Sequence, residues 1–267
     1  MLRRVDHLAV RDAVIAFDQS GDGGTDLVLV HGFQNDRSAW DPFVERLDRD
    51  RFRITRFDLV GCGDSSAAKT WSRCTIDEYA LDLSAVCDAL GVAAPVAIGH
   101  SLGGGTVLRA ALREPDRFAG LVLVAPVSTT GLDFLPDGAF EGLVRPTEKQ
   151  QRDLARAAFR RSPSPGDFEA LMAVIARATP EHIEGAARSM RDFRCQGELA
   201  GFAPPALIVC GDRDRHVPLR NHLATWRAIP RCGLQVYFDV GHVPFAETPD
   251  AFAEDALRFI GSIRPSR

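Results

Sequence analysis

The feature that most limits how this chain can fold is a series of short apolar runs, recurring from residue 27 onward with helical patterns between them. Leu27-Val28-Leu29-Val30 is the first; others are Phe52 to Phe57, Pro95 to Ile98, Leu121 to Val124, Ala206 to Val209 and Leu234 to Phe238. Runs this short, largely apolar and rich in branched side chains, read as strands buried on both faces of a parallel sheet. Ahead of them, Val5 to Val10 and Val14 to Asp18 read as an antiparallel hairpin turning at Arg11-Asp12.

Between the runs, Ser38-Ala39-Trp40-Asp41 has the form of a capping box, with Trp40, Phe43, Val44 and Leu47 on one helical face. Thr75 to Leu90 and Leu102 to Leu112 continue the alternation, and Thr248-Pro249 opens a final amphipathic helix carrying Phe252, Ala256, Phe259, Ile260 and Ile263. This order predicts an α/β fold: a mostly parallel eight-stranded sheet with helices on both faces and ligand sites at the carboxyl ends of its strands. The interval 128–203 breaks the rhythm. It holds three helical patterns, Thr147 to Arg161, Gly166 to Ala178 and Pro180 to Phe193, with no convincing strand between them. We read it as a helical cap inserted into a core domain made of 1–127 and 204–267. With 267 residues, 45% of them hydrophobic, the chain has enough apolar material for one sizeable core.

Charge narrows the partners. Lys+Arg 32 against Asp+Glu 36 gives a net charge of -4, and no basic run is long enough to track a phosphate backbone or an anionic lipid surface. Nucleic acid and membrane are therefore not expected as partners. The first ten residues alternate charged and apolar side chains, without the continuous apolar stretch of a signal peptide, so a cytoplasmic location is expected. Six cysteines (62, 74, 87, 195, 210 and 232) lack CxxC or Cys/His spacing and read as idle thiols.

Chemistry concentrates at strand ends. Gly99-His100-Ser101-Leu102-Gly103 follows the run Val96-Ala97-Ile98 directly and precedes a helix, so Ser101 lies on the tight strand-to-helix turn of a nucleophile elbow. A serine hydroxyl needs a base within hydrogen-bond reach, usually a histidine held by a carboxylate. His242, in Asp239-Val240-Gly241-His242-Val243-Pro244 after the last strand, is the candidate base. His31 and His100 also border strand ends and read as packed structural residues, whereas His7, His182, His216 and His222 read as surface or local-structure residues. Asp212 and Asp214 both follow the run ending at Val209. Asp214 is the preferred acid, and Asp212 reads as a turn-stabilising residue.

These motifs resemble the α/β-hydrolase fold superfamily of serine hydrolases across nearly the whole chain outside the cap. His31-Gly32-Phe33 is similar to its oxyanion loop and Gly211-x-x-Asp214-x-x-x-Pro218 to its acid motif, with Gly241-His242 completing the set. The resemblance implies an oxyanion hole formed by the backbone N–H groups of Phe33 and Leu102. Phe57-Asp58-Leu59-Val60-Gly61-Cys62-Gly63-Asp64-Ser65 is similar to the family's Gly-x-Gly-x-Ser turn and reads as structural. The core segments 31–40 and 76–82 look closest to the bacterial stress-regulator and plant butenolide-receptor hydrolases, while the cap differs. Haloalkane dehalogenases and epoxide hydrolases place an aspartate where Ser101 stands, so those reactions are not expected.

The expected activity is acyl transfer to water on a small-molecule carbonyl substrate (an ester, lactone or related compound) through Ser101, His242 and Asp214, without metal or cofactor. Phe33, Val127, Phe134 and Val243 are the expected pocket walls; Phe159, Phe168, Met172, Met190 and Phe193 are expected to pack the cap. Carbon-carbon cleavage of a diketone on the same triad, and a slow-turnover ligand receptor, are the alternatives.

Overall fold

The computed structural model describes residues 5–135 and 139–263. Strands β1 (Asp6–Val10) and β2 (Ala13–Ser20) form the expected hairpin, with Arg11 at φ 54° in its turn. β3 (Thr25–Val30) leads through a 3₁₀ turn into the short helix α1 (Asp41–Val44), followed by β4 (Phe52–Phe57) and α2 (Ile76–Ala89). β5 (Val96–His100), α3 (Leu102–Arg113) and β6 (Gly120–Val124) come next. The following stretch carries α4 (Ala139–Val144), α5 (Glu148–Ala157), α6 (Pro165–Ile175) and α7 (Pro180–Asp192), and among the described residues no strand. β7 (Ala206–Gly211), α8 (Leu219–Ala228), β8 (Cys232–Tyr237), α9 (Pro244–Glu247) and α10 (Pro249–Ser262) complete the chain.

The strands form one eight-stranded sheet in the order β1-β2-β4-β3-β5-β6-β7-β8. β2 is antiparallel to both β1 and β4, and the remaining pairs are parallel. Strand pleating explains why the central runs, such as Leu27 to Val30 and Leu121 to Val124, have no polar positions. Val28 and Val30 enter one core layer, while Leu27 and Leu29 enter the layer on the opposite face. Leu121 and Leu123 alternate with Val122 and Val124 in the same way. Tyr79, Leu83 and Val107, from α2 and α3, cover the first face; Phe43, Phe252 and Ile260, from α1 and α10, cover the second.

Local signals departed from expectation at three places. Asp36, not Ser38, caps the turn Arg37–Trp40, its carboxylate accepting the Ser38 N–H at 2.9 Å. The Thr248 hydroxyl donates to the Pro244 carbonyl at 3.0 Å, because α9 lies immediately upstream, and so makes no side-chain cap on α10. Phe238 lies past the end of β8 and is 82% exposed. Among the described residues, no helix is long and apolar enough to cross a membrane.

β3 has β4 on one side and β5 on the other, so the chain reverses its progress across the sheet there. A crevice outside the carboxyl ends of such strands is where open α/β sheets bind ligands. Val30 pairs with Gly99, which sets the loop after β3 beside the turn after β5.

Candidate active site

Ser101 occupies φ 52°, ψ −112°, a backbone conformation rarely adopted by a side-chain-bearing residue. Its surroundings hold it there. The Ser101 N–H donates to the Val124 carbonyl at 2.9 Å, and its own carbonyl accepts from the N–H groups of Gly105 and Val127, both at 3.1 Å. A side chain at Gly99 would overlap the Gly103 carbonyl, and one at Gly103 would overlap the carbonyls of Val30 and His31, which is why both flanking positions are glycine. The helix N-terminus at Leu102 directs its dipole toward the serine.

Asp214 and His242 arrive on the loops after β7 and β8. His242 Nδ1 donates to Asp214 Oδ2 at 2.7 Å. Asp214 Oδ1 accepts the backbone N–H groups of His216 at 2.8 Å and Val217 at 2.9 Å, and Oδ2 also accepts from His222 Nε2 at 3.2 Å. The carboxylate is fully buried. Burial alone would raise its pKa; the two imidazoles outweigh burial and hold it well below the usual carboxylate range. Asp212 faces elsewhere, accepting the Asp239 N–H at 2.7 Å.

Ser101 and His242 line one cavity of about 470 Å³. The carboxyl ends of the strands and the loops after them contribute Phe33, His100, Val127 and Val243; α5, α6 and α7 contribute Leu154, Leu171, Ile175 and Met190, among others. Of the four expected wall residues, Phe134 is the exception. A turn in which the Leu135 N–H donates to the Leu132 carbonyl at 3.2 Å brings Leu132 and Leu135 to the cavity instead. Met190 and Phe159 line the cavity as well as packing, whereas Phe168 and Met172 pack with Ala155 and Ile175.

Three histidines expected at the surface or in local structure belong here. His222 is fully buried against Asp214. The His216 ring meets the His242 ring edge-on, centroids 4.8 Å apart, and lines the cavity. His182 on α7 is fully buried; its Nε2 accepts the Gln34 N–H at 3.2 Å. His31 and His100 are buried and bonded, His31 Nε2 accepting the Leu59 N–H at 3.0 Å and His100 Nε2 donating to the His242 carbonyl at 3.0 Å.

Burial lowers the pKa of His31, His100, His182 and His216, to about 3 for His182 and about 4 for His216. Unfolding returns each imidazole to its ordinary value of 6.5, so acid favours the unfolded chain, which binds protons that the folded chain refuses. The contribution of these groups to stability is complete above that value and is lost as pH falls toward the folded-state values. Thermal midpoints are therefore expected to fall steadily from about pH 6.5 to about pH 4 in calorimetry. A flat midpoint over that window would contradict neutral burial of these rings.

The loop bearing His242 is also stitched to the segment after α5. The His242 N–H donates to the Ala158 carbonyl at 2.7 Å. The Glu247 carboxylate accepts the Gly241 N–H at 2.7 Å through one oxygen, and the Arg160 and Arg161 N–H groups at 2.9 and 3.2 Å through the other. Asp239 pairs with Arg160 at 2.6 Å.

The Asp58-to-Ser65 turn is a strut. Gly61 and Gly63 have positive φ, the Ser65 hydroxyl donates to the Asp58 carbonyl at 2.7 Å, and the buried Asp58 carboxylate accepts the Arg37 and Asp64 N–H groups at 2.7 and 2.8 Å. Five of the six thiols are buried and all are unpaired. Among the described residues, no group of three His, Cys, Asp or Glu side chains converges as a metal site.

The sequence profile of the alpha/beta hydrolase fold matches residues 27–249. The chain is 27% identical to a 2-hydroxy-6-oxononadienedioate/2-hydroxy-6-oxononatrienedioate hydrolase of Pseudomonas sp, over 92% of this chain and 91% of that protein. It is 29% identical to a pimeloyl-[acyl-carrier protein] methyl ester esterase of Vibrio atlanticus (strain LGP32), over 88% and 94% respectively. Among solved structures it resembles a thermophilic esterase from Thermogutta terrifontis, with a TM-score of 0.82 and 26% identity over 97% of this chain and 99% of that one. With the family profile spanning most of its length, on a sheet of this order and a serine turn at its switch point, the chain belongs to the alpha/beta hydrolase fold family.

Proposed function

We propose that the protein is a serine hydrolase of carboxylic esters, lactones or related carbonyl compounds, with 128–203 acting as the cap over its substrate. The observation that carries this reading is the His242–Asp214 pair facing the same apolar cavity as the strained Ser101 turn. His242 takes the proton from Ser101 Oγ as that oxygen bonds to the substrate carbonyl carbon. The resulting oxyanion is held by the backbone N–H groups of Phe33 and Leu102, donors of a kind worth roughly 3 kcal/mol each. The C–O bond to the leaving group then breaks, and His242 returns the proton to the departing alcohol. Water attacks the acyl-enzyme by the reverse sequence, giving up its proton to His242 and releasing the acid and free Ser101.

Among the described residues, Arg215, exposed beside the cavity, is the one lining residue with a fixed formal charge, so these walls suit an apolar acyl or alcohol group of medium size. The similarity to the oxononadienedioate hydrolase supports a second reading, hydrolytic cleavage of a carbon-carbon bond in a vinylogous diketone by the same residues. A panel of alkyl and aryl esters, lactones, thioesters and a vinylogous diketone, run on the wild type beside Ser101→Ala, separates the two. Ester or lactone turnover lost with Ser101 is the expected result. Cleavage of the diketone alone would favour the second reading, and equal turnover by both proteins would overturn both.

A further inference from the structure

The cavity rim holds an arrangement that the serine, histidine and aspartate do not use. Gln34 follows Phe33 on the loop after β3, and its backbone lies at φ 53°, a left-handed conformation that a glutamine adopts only when its surroundings enforce it. Its N–H is met by a residue 148 positions away, His182 on α7, whose Nε2 accepts it at 3.2 Å. An N–H can only donate, so Nε2 carries the lone pair and the proton sits on Nδ1. Nδ1 faces the Tyr79 hydroxyl at 2.7 Å, and that hydroxyl donates to the Val60 carbonyl at 3.0 Å. The chain of bonds thus runs in one direction, from Gln34 N–H to His182 and from His182 through Tyr79 to the Val60 carbonyl.

The imidazole makes a second contact with the same loop. Its ring stacks on Phe33, centroids 5.6 Å apart and planes inclined by 25°. α7 itself is anchored to the core: the Thr179 N–H donates to the Gly61 carbonyl at 2.9 Å, and the Ser189 hydroxyl accepts the Ile76 N–H at 2.8 Å. Burial, reinforced by nearby His31, keeps His182 neutral, as an accepting Nε2 requires.

We propose that His182 is a positioning residue for the oxyanion hole, reaching from the helical segment over the cavity to fix the Phe33–Gln34 backbone so that the Phe33 N–H is aimed at the developing oxyanion. The proposal rests on the reading of Phe33 as an oxyanion donor. It implies that the hole is completed only when α7 is docked, because one of its supports belongs to that helix. A donor held in place acts chiefly in the transition state, so its loss appears in kcat rather than KM.

The test uses hydrolysis of p-nitrophenyl butyrate by the full chain. His182→Phe keeps a ring to stack on Phe33 and removes the acceptor; His182→Gln returns an acceptor oxygen near the Nε2 position. Since direct oxyanion donors are worth about 10²- to 10³-fold in kcat, an indirect support is expected to give roughly 30-fold loss in His182→Phe, with KM within about twofold and most of the loss recovered in His182→Gln. With Ser101→Ala inactive, wild-type kcat in His182→Phe, or a loss carried only by KM, overturns the proposal and leaves the hydrolase reading standing. Undiminished hydrolysis by Ser101→Ala overturns the hydrolase reading, and the proposal falls with it. Should His182→Phe not fold, ¹⁵N NMR of the wild type decides: a proton on Nδ1 with bare Nε2 supports the arrangement, and a proton on Nε2 overturns it.

Discussion

Replacing Ser101 with alanine is expected to lower kcat on any hydrolysed ester by on the order of 10⁶-fold, because removing a serine nucleophile from a triad costs about as much as removing all three members. The rest of the site should survive the change. Ser101 is held through its main chain, by Val124, Gly105 and Val127, so alanine keeps every one of those bonds. Alanine still carries a Cβ, so it occupies the strained φ 52° conformation much as serine does. Substrate binding and thermal midpoint should therefore stay close to wild type while turnover disappears. Residual activity within tenfold of wild type, measured on protein purified away from host esterases, would show that another group attacks the carbonyl.

Asp214→Asn is expected to reduce kcat by roughly 10⁴-fold, the scale found when a triad aspartate loses its charge but keeps its shape. The physical cause is specific to this carboxylate. Both oxygens face pairs of donors: two main-chain N–H groups at Oδ1, and the rings of His242 and His222 at Oδ2. An asparagine has one oxygen and one NH₂, so whichever way it turns, its NH₂ confronts two donors. If the NH₂ faces the imidazoles, His242 must present the wrong tautomer or swing away. If it faces the backbone, the 216–217 turn must open. Stability should fall as well, since leaving buried donors unsatisfied costs about 1–3 kcal/mol each. Asp212→Asn is the control, because the Asp212 carboxylate accepts the Asp239 N–H and pairs with Arg213, not with His242. A kcat for Asp214→Asn within tenfold of wild type would remove Asp214 from the mechanism.

The parts of the structure legible in the sequence are those governed by local periodicity. The central apolar runs became strands because burial on both faces of a sheet leaves its signature in neighbouring residues, as Leu27 to Val30 illustrates, whereas β8 at the sheet edge is only partly buried. The serine turn was readable for the same reason: strand, glycine, serine, glycine and helix lie within one continuous stretch. Histidines carry no such signature. His182, His216 and His222 looked like surface or local-structure residues because nothing near them in the chain reports what they meet, and the partner of His182 lies on the loop after β3. Phe134 failed as a wall residue through a single turn bond between Leu132 and Leu135, which decides which side chains face inward. The short helix α4, six residues with Gly142 inside it, is too brief to show a helical period in its sequence. Ser38 lost the cap to Asp36, two residues upstream and equally suited chemically, so only geometry could choose between them.

The stitching of the His242 loop to residues 158–161 has a kinetic corollary. Any excursion that lifts this stretch away strips the His242 main-chain N–H of its acceptor and separates Glu247 from two of its three donors. Under the proposed mechanism, in which His242 is the base, such an excursion and a correctly seated base are mutually exclusive states. Under that proposal the seam would act as an interlock, disarming the site whenever residues 158–161 lift away and arming it when they return.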